Sequence, residues 1–91
     1  MKPRITFCLT PDGTLEMYFN EEERKLFIRE LSGLSEKSDH FHFAPAEVGS
    51  EVPVSTRAYN SEDRILGYGK VLFRPDAWDE KYYPHVMGEP N

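Results

Sequence analysis

Two runs of alternating residues, set around a tight turn, constrain this chain more than anything else in it. Ile5, Phe7 and Leu9 recur at every second position, and Leu15, Met17 and Phe19 do the same after Pro11-Asp12-Gly13-Thr14. A period of two is that of a strand with one buried face, and Asp-Gly is a strong turn signal. The pair predicts an antiparallel hairpin whose apolar face needs a cover. The next segment supplies one. Asn20 can cap a helix through its side-chain oxygen, with Glu23 placed to complete a capping box. Glu21, Glu22 and Glu23 then fill the first turn, where the helix dipole favours negative charge, and Glu21 and Lys25 make a favourable i,i+4 pair. Phe27, Leu31 and Leu34 lie on one stripe flanked by Leu26 and Ile28, and Gly33 ends the pattern. The spacing predicts a helix over Glu21–Ser32.

Three further strands are expected. His40-Phe41-His42-Phe43 alternates and stops before Pro45, and residues 46–51 read as a loop. Residues 52–59 form a second run, with Pro53 near its start or on a sheet edge. Residues 65–74 form a longer one, in which Gly67 and Gly69 mark a bulge or the close approach of another backbone. The order is ββαβββ. It predicts an α+β fold in which one helix packs across one face of a mainly antiparallel sheet of four to five strands, because each needs the other's apolar surface. Phe7, Leu9, Leu15, Met17, Phe27, Leu31, Phe41, Phe43, Val71 and Phe73 make the expected core. Residues 1–76 read as a single domain. Residues 77–91 read as an aromatic and acidic C-terminal tail, with Asp76 as the cap of a helical turn and Pro84, Gly88 and Pro90 as breakers.

A length of 91 residues leaves no room for a second core. The net charge of −5 argues against a nucleic-acid binder, which needs a basic face, and against an anionic membrane surface. It suits a basic protein partner, since complementary fields speed encounter; the same charge also serves simple solubility. Cys8 is the one cysteine, which excludes an internal disulfide and the paired-cysteine zinc patterns. No apolar run has signal or transmembrane length, so a reducing cytoplasm is the expected compartment.

Two local features could carry function. In a strand, His40 and His42 project from one face about 6–7 Å apart. Two imidazoles at that spacing could share a metal, with Asp39 or Glu47 as a further ligand, but a zinc site needs more ligands than the pair supplies. The plainer reading puts both histidines on the polar face while Phe41 and Phe43 fill the core. The other feature is Trp78-Asp79-Glu80-Lys81-Tyr82-Tyr83. Trp and Tyr are enriched at interface hot spots, and the acids complement a basic partner. Trp78 could instead plug the end of the sheet. Catalysis finds little support: Cys8 adjoins no basic residue and reads as a small half-buried side chain, and no serine sits in a strained-turn glycine signature. Gly67-Tyr68-Gly69 lacks the following helix that a phosphate cradle requires. No cofactor is expected.

The order of features resembles one family, immunity protein 32 of bacterial polymorphic toxin systems. The resemblance spans roughly residues 5–76. It rests on the Asp12-Gly13 hairpin, the capped helix, the tract Asp39-His40-Phe41-His42-Phe43 and the late strand ending Leu72-Phe73-Arg74-Pro75-Asp76. After the tract this chain reads Ala44-Pro45-Ala46 where the family has Trp-Gly. The resemblance implies a protein that binds and neutralises a cognate toxin, with Asp39, His40, His42 and Phe43 at the matching positions. The leading expectation is thus a non-enzymatic binding protein, with Trp78, Asp79, Glu80, Tyr82, Tyr83, Asp39, His40 and His42 as partner-contacting residues. The alternatives are a metal-binding protein or metal-dependent enzyme built on His40 and His42, and an oligomerising scaffold that pairs through the edge of strand 52–59.

Overall fold

The hairpin forms in the register its pattern requires. In the computed structural model, which describes residues 4–88, β1 (Ile5–Leu9) pairs antiparallel with β2 (Leu15–Phe19), with Phe7 opposite Met17 and Leu9 opposite Leu15. Gly13 takes φ of 90° at the turn, a conformation that costs glycine little. The Asp12 carboxylate accepts from the Thr10 and Thr14 hydroxyls and from the Thr14 amide, which ties the turn together. Helix α1 (Glu21–Ser32) follows at once, with the Glu23 amide donating to Asn20 Oδ1 at 2.9 Å. Its surface ion pair joins Lys25 to Glu22 rather than to Glu21.

The rest of the fold corrects the expectation of one sheet and one helix. The chain is α+β, but its described residues build two three-stranded sheets and two α-helices. The first sheet has the order β2-β1-β5 and the second β4-β3-β6, with β3 at His40–Pro45, β4 at Val52–Val54, β5 at Arg64–Ile65 and β6 at Gly69–Leu72. The run read as one strand over 65–74 is therefore parts of two short strands in different sheets, and the chain crosses between the sheets at residues 66–68. Gly69 does mark a close approach, but of a ring rather than a backbone: a Cβ there would fall 2.6 Å from Phe43 Cε2. β4 is shorter than the predicted 52–59 strand and runs parallel to β3; Pro53, which has no N–H to donate, lies on this edge strand.

Strand β1 joins the two sheets. One of its edges pairs with β2. Along the other, Cys8 and Leu9 pair with β5, the Leu66 amide donates to Phe7 O at 2.8 Å, and the Ser55 amide donates to Ile5 O at 2.7 Å. The core lies between the sheets and α1. Phe7 meets Phe43 edge-on at 4.6 Å between ring centroids, and Phe27 of α1 meets Phe7, Phe19 and Phe41 at 5.8, 5.2 and 5.7 Å. Ile5, Val52 and Val54 are fully buried beside them.

Four of the ten expected core residues lie on the surface. Leu15, Met17, Leu31 and Phe73 are exposed, whereas Phe7, Phe27 and Phe41 are buried and Leu9, Phe43 and Val71 are partly so. The helix starts directly after β2, so it covers the Phe19 end of the hairpin and leaves the Leu15 end bare. Its inward stripe is Glu23, Leu26, Phe27, Glu30 and Leu34, which turns Ile28 and Leu31 toward solvent. No helix among the described residues is long and apolar enough to cross a membrane.

The tail is more regular than its composition suggests. Asp76–Tyr82 forms α2, followed by a 3-10 turn at Pro84–Met87. Asp76 lies inside the first turn, and the cap position falls to Pro75, which offers no side-chain hydrogen bond. Pro90, read as a breaker, lies outside the described residues.

Candidate interaction surface

The outward face of β3 carries His40 and His42, both exposed, with Leu72 and Lys70 of β6 directly opposite them. Alternation along β3 puts Phe41 into the core, so its histidine neighbours face out together, with ring centroids 5.0 Å apart. Each imidazole has its own carboxylate. His40 Nδ1 is 2.8 Å from Asp39 Oδ1, and His42 Nδ1 is 3.6 Å from Glu51 Oε1. Glu51 also accepts the His42 amide at 2.7 Å, so Glu51 occupies the neighbouring position that the sequence suggested for Glu47. The hydrogen bond with His40, and then the charge of Arg74, hold Asp39 below its ordinary pKa. The His42 amide does the same for Glu51.

Arg74 links this strand face to the tail. Its Nη1 donates to Asp39 Oδ2 at 3.1 Å and to its neighbour Phe73 O at 3.0 Å, while its guanidinium carbon lies 4.5 Å from the Trp78 ring centroid. A planar guanidinium can bind a carboxylate along its edge and lie over an aromatic face at the same time, which a lysine cannot. Trp78 in turn packs against Tyr82 at 4.9 Å and Tyr83 at 5.3 Å. Trp78 is half-buried and stays outside the core cluster, and α2 has no fully buried residue. Tyr82 and Tyr83 are 55% and 47% exposed, large apolar areas left to solvent. Asp79 and Glu80 enter no salt bridge among the described residues. Asp39, His40 and His42 thus join Trp78 and its neighbours in one continuous surface through Arg74, a residue that sequence reasoning did not single out. Its place at the end of the predicted 65–74 run, just before Pro75, was the available signal.

On the opposite face of β1 lies a cluster that the sequence did not reveal. Cys8 is fully buried, and its Sγ lies 3.7 Å from Asp63 Oδ2. Glu16 lies across the β1–β2 ladder from Cys8. Tyr18 donates its hydroxyl to Glu16 at 2.8 Å and stacks on Tyr59 at 3.9 Å. The bond to Glu16, reinforced by burial, pushes the Tyr18 hydroxyl up to about 12. Burial, and then the nearby Asp63 carboxylate, push the Cys8 thiol up. Cys8 and Glu16 could have been paired from the hairpin register alone. Asp63, 55 residues from Cys8 along the chain, could not. A comparison with known proteins matches this chain to no family model, no curated protein and no solved structure.

Proposed function

We propose that this protein is a small acidic binding protein that neutralises a basic protein partner by covering it, in the manner of the immunity proteins its Asp39-His40-Phe41-His42 tract resembles. The observation that carries the reading is the Arg74 link, which unites residues far apart in sequence into one surface with two exposed tyrosines. Tyr82 and Tyr83 act as anchors, because large aromatic rings bury much area at little entropic cost. Asp79 and Glu80 steer a basic partner toward them, and His40 and His42 extend the contact along β3. The blocking is steric and electrostatic, with no chemical step.

The test asks first whether a neighbouring gene encodes a basic toxin domain, and then measures binding kinetics between the two purified proteins and the survival of cells that express both. Tyr82→Ala and Tyr83→Ala should speed dissociation, each by a loss of ~2 kcal/mol or more, whereas charge reversal of Asp79 and Glu80 should mainly slow association. Full protection by a Tyr82→Ala/Tyr83→Ala/His42→Ala variant would place the inhibitory face elsewhere and end this reading.

A further inference from the structure

We propose that Cys8, Glu16 and Asp63 form a binding site for a borderline-soft divalent cation, zinc above all. Among the described residues, these three bring their ligand atoms within 4.8 Å of one another. They come from three places: β1, β2 and the turn leading into β5. The set is one soft thiol and two hard carboxylates. Magnesium and calcium prefer all-oxygen shells, and a thiol favours zinc over both.

Two features suit the site to that ion. Tetrahedral zinc, with bonds of about 2.3 Å to sulfur and about 2.0 Å to oxygen, sets a sulfur–oxygen edge of about 3.5 Å. The Cys8–Asp63 separation of 3.7 Å already matches that edge, so the remaining adjustment falls on the longer and more adaptable Glu16 side chain. Both carboxylates also have outer partners that orient them, Tyr18 on Glu16 at 2.8 Å and Asn60 on Asp63 at 3.3 Å.

The two carboxylates of the cluster are open to approach, whereas the Cys8 thiol is buried and does not line the opening. A cavity of about 450 Å³ opens beside the cluster and is lined by Asp12, Glu16, Glu62 and Asp63 with no basic side chain. Four carboxylates without a counter-charge concentrate cations at its mouth, and water entering by the same route completes the fourth position. As the zinc–sulfur bond forms, the Cys8 proton leaves to solvent. The histidine pair does not offer the same: each imidazole already faces its own carboxylate, and among the described residues the two join no group of three ligands.

The experiment strips the untagged, full-length protein with a chelator, then titrates it with zinc and, separately, with cobalt against a chromophoric competitor. One zinc per chain should bind, the melting temperature should rise, and the cobalt form should show a thiolate-to-metal charge-transfer band. Replacing core Cys8 endangers the fold, so Glu16→Gln and Asp63→Asn carry the mutational test, each checked for a native circular dichroism spectrum. Each should weaken zinc by at least roughly tenfold, and Tyr18→Phe, which leaves every ligand in place, by about 10–100-fold. His40→Ala/His42→Ala should bind zinc as the parent does. Absence of stoichiometric zinc, a cobalt spectrum without the thiolate band, or undiminished binding in Glu16→Gln/Asp63→Asn would each overturn the site.

Discussion

Residue by residue, the histidine face is built from local pairings whose strength depends on pH. Asp39 and Glu51 both titrate below their ordinary values of 3.8 and 4.5, held there by bonds from His40 and His42 that favour the ionised carboxylate. The unfolded chain therefore binds more protons than the folded one in mild acid, and stability rises with pH across that range. The contribution is whole above the ordinary values and fades as pH falls through the lowered ones. Urea midpoints measured between pH 7 and pH 3 should drop at the acid end, and an Asp39→Asn/Glu51→Gln variant should show a flatter decline. An unchanged slope would mean that other carboxylates set the acid limit.

Among the elements, α1 best separates what a pattern can reveal from what it cannot. Asn20, the acidic first turn and Gly33 mark both ends of the helix, because capping is local chemistry written in adjacent residues. The face is another matter. Phe27, Leu31 and Leu34 satisfy the helical period, yet an equally good stripe runs through Leu26, Phe27, Glu30 and Leu34, and only the packing against Phe7 and Phe41 chooses between them. Phe27→Ala should accordingly cost ~3–5 kcal/mol and Leu31→Ala less than ~1 kcal/mol in urea unfolding. Comparable losses would show that the helix is rotated from the orientation described. The two-sheet division was illegible for a related reason. Residues 65–74 read like one strand, and nothing local announces that Ile65 pairs with Cys8 while Val71 pairs with Phe41. The parallel β3–β4 pair hid behind its short connection, since parallel neighbours ordinarily need a crossover of about a dozen residues or more.

For the whole molecule, the division between core and tail matters most. Among the described residues, every member of the buried cluster precedes residue 72, and Trp78 of α2 lies against Arg74 of the body. Deleting residues 77–91 should leave a domain that still unfolds cooperatively, with weakened partner binding. Unfolding of the truncated chain would move Trp78 into the set of residues the fold depends on. The parent protein's association with a basic partner should also slow steeply as salt rises, since a net charge of −5 steers encounter only over a Debye length of about 8–10 Å. The surface itself was half legible: the aromatic tail and the His40–His42 pair stand out by residue type, but their union depends on Arg74, whose two contacts appear only in three dimensions.

The seam along β1 has a consequence for how the molecule opens. Two amides from different parts of the chain, those of Ser55 and Leu66, donate to the backbone oxygens of Ile5 and Phe7 on one strand. Neither exchanges while its bond to β1 is intact, and β1 also holds β2 and β5. Amide exchange at both sites should therefore report a single cooperative event with the free energy of global unfolding, while the amides of α2 exchange by small local fraying. Exchange followed by NMR in increasing urea would show the Ser55 and Leu66 curves converging on the global line. Leu66 exchanging as fast as the amides of α2 would mean that the two sheets part before either one melts.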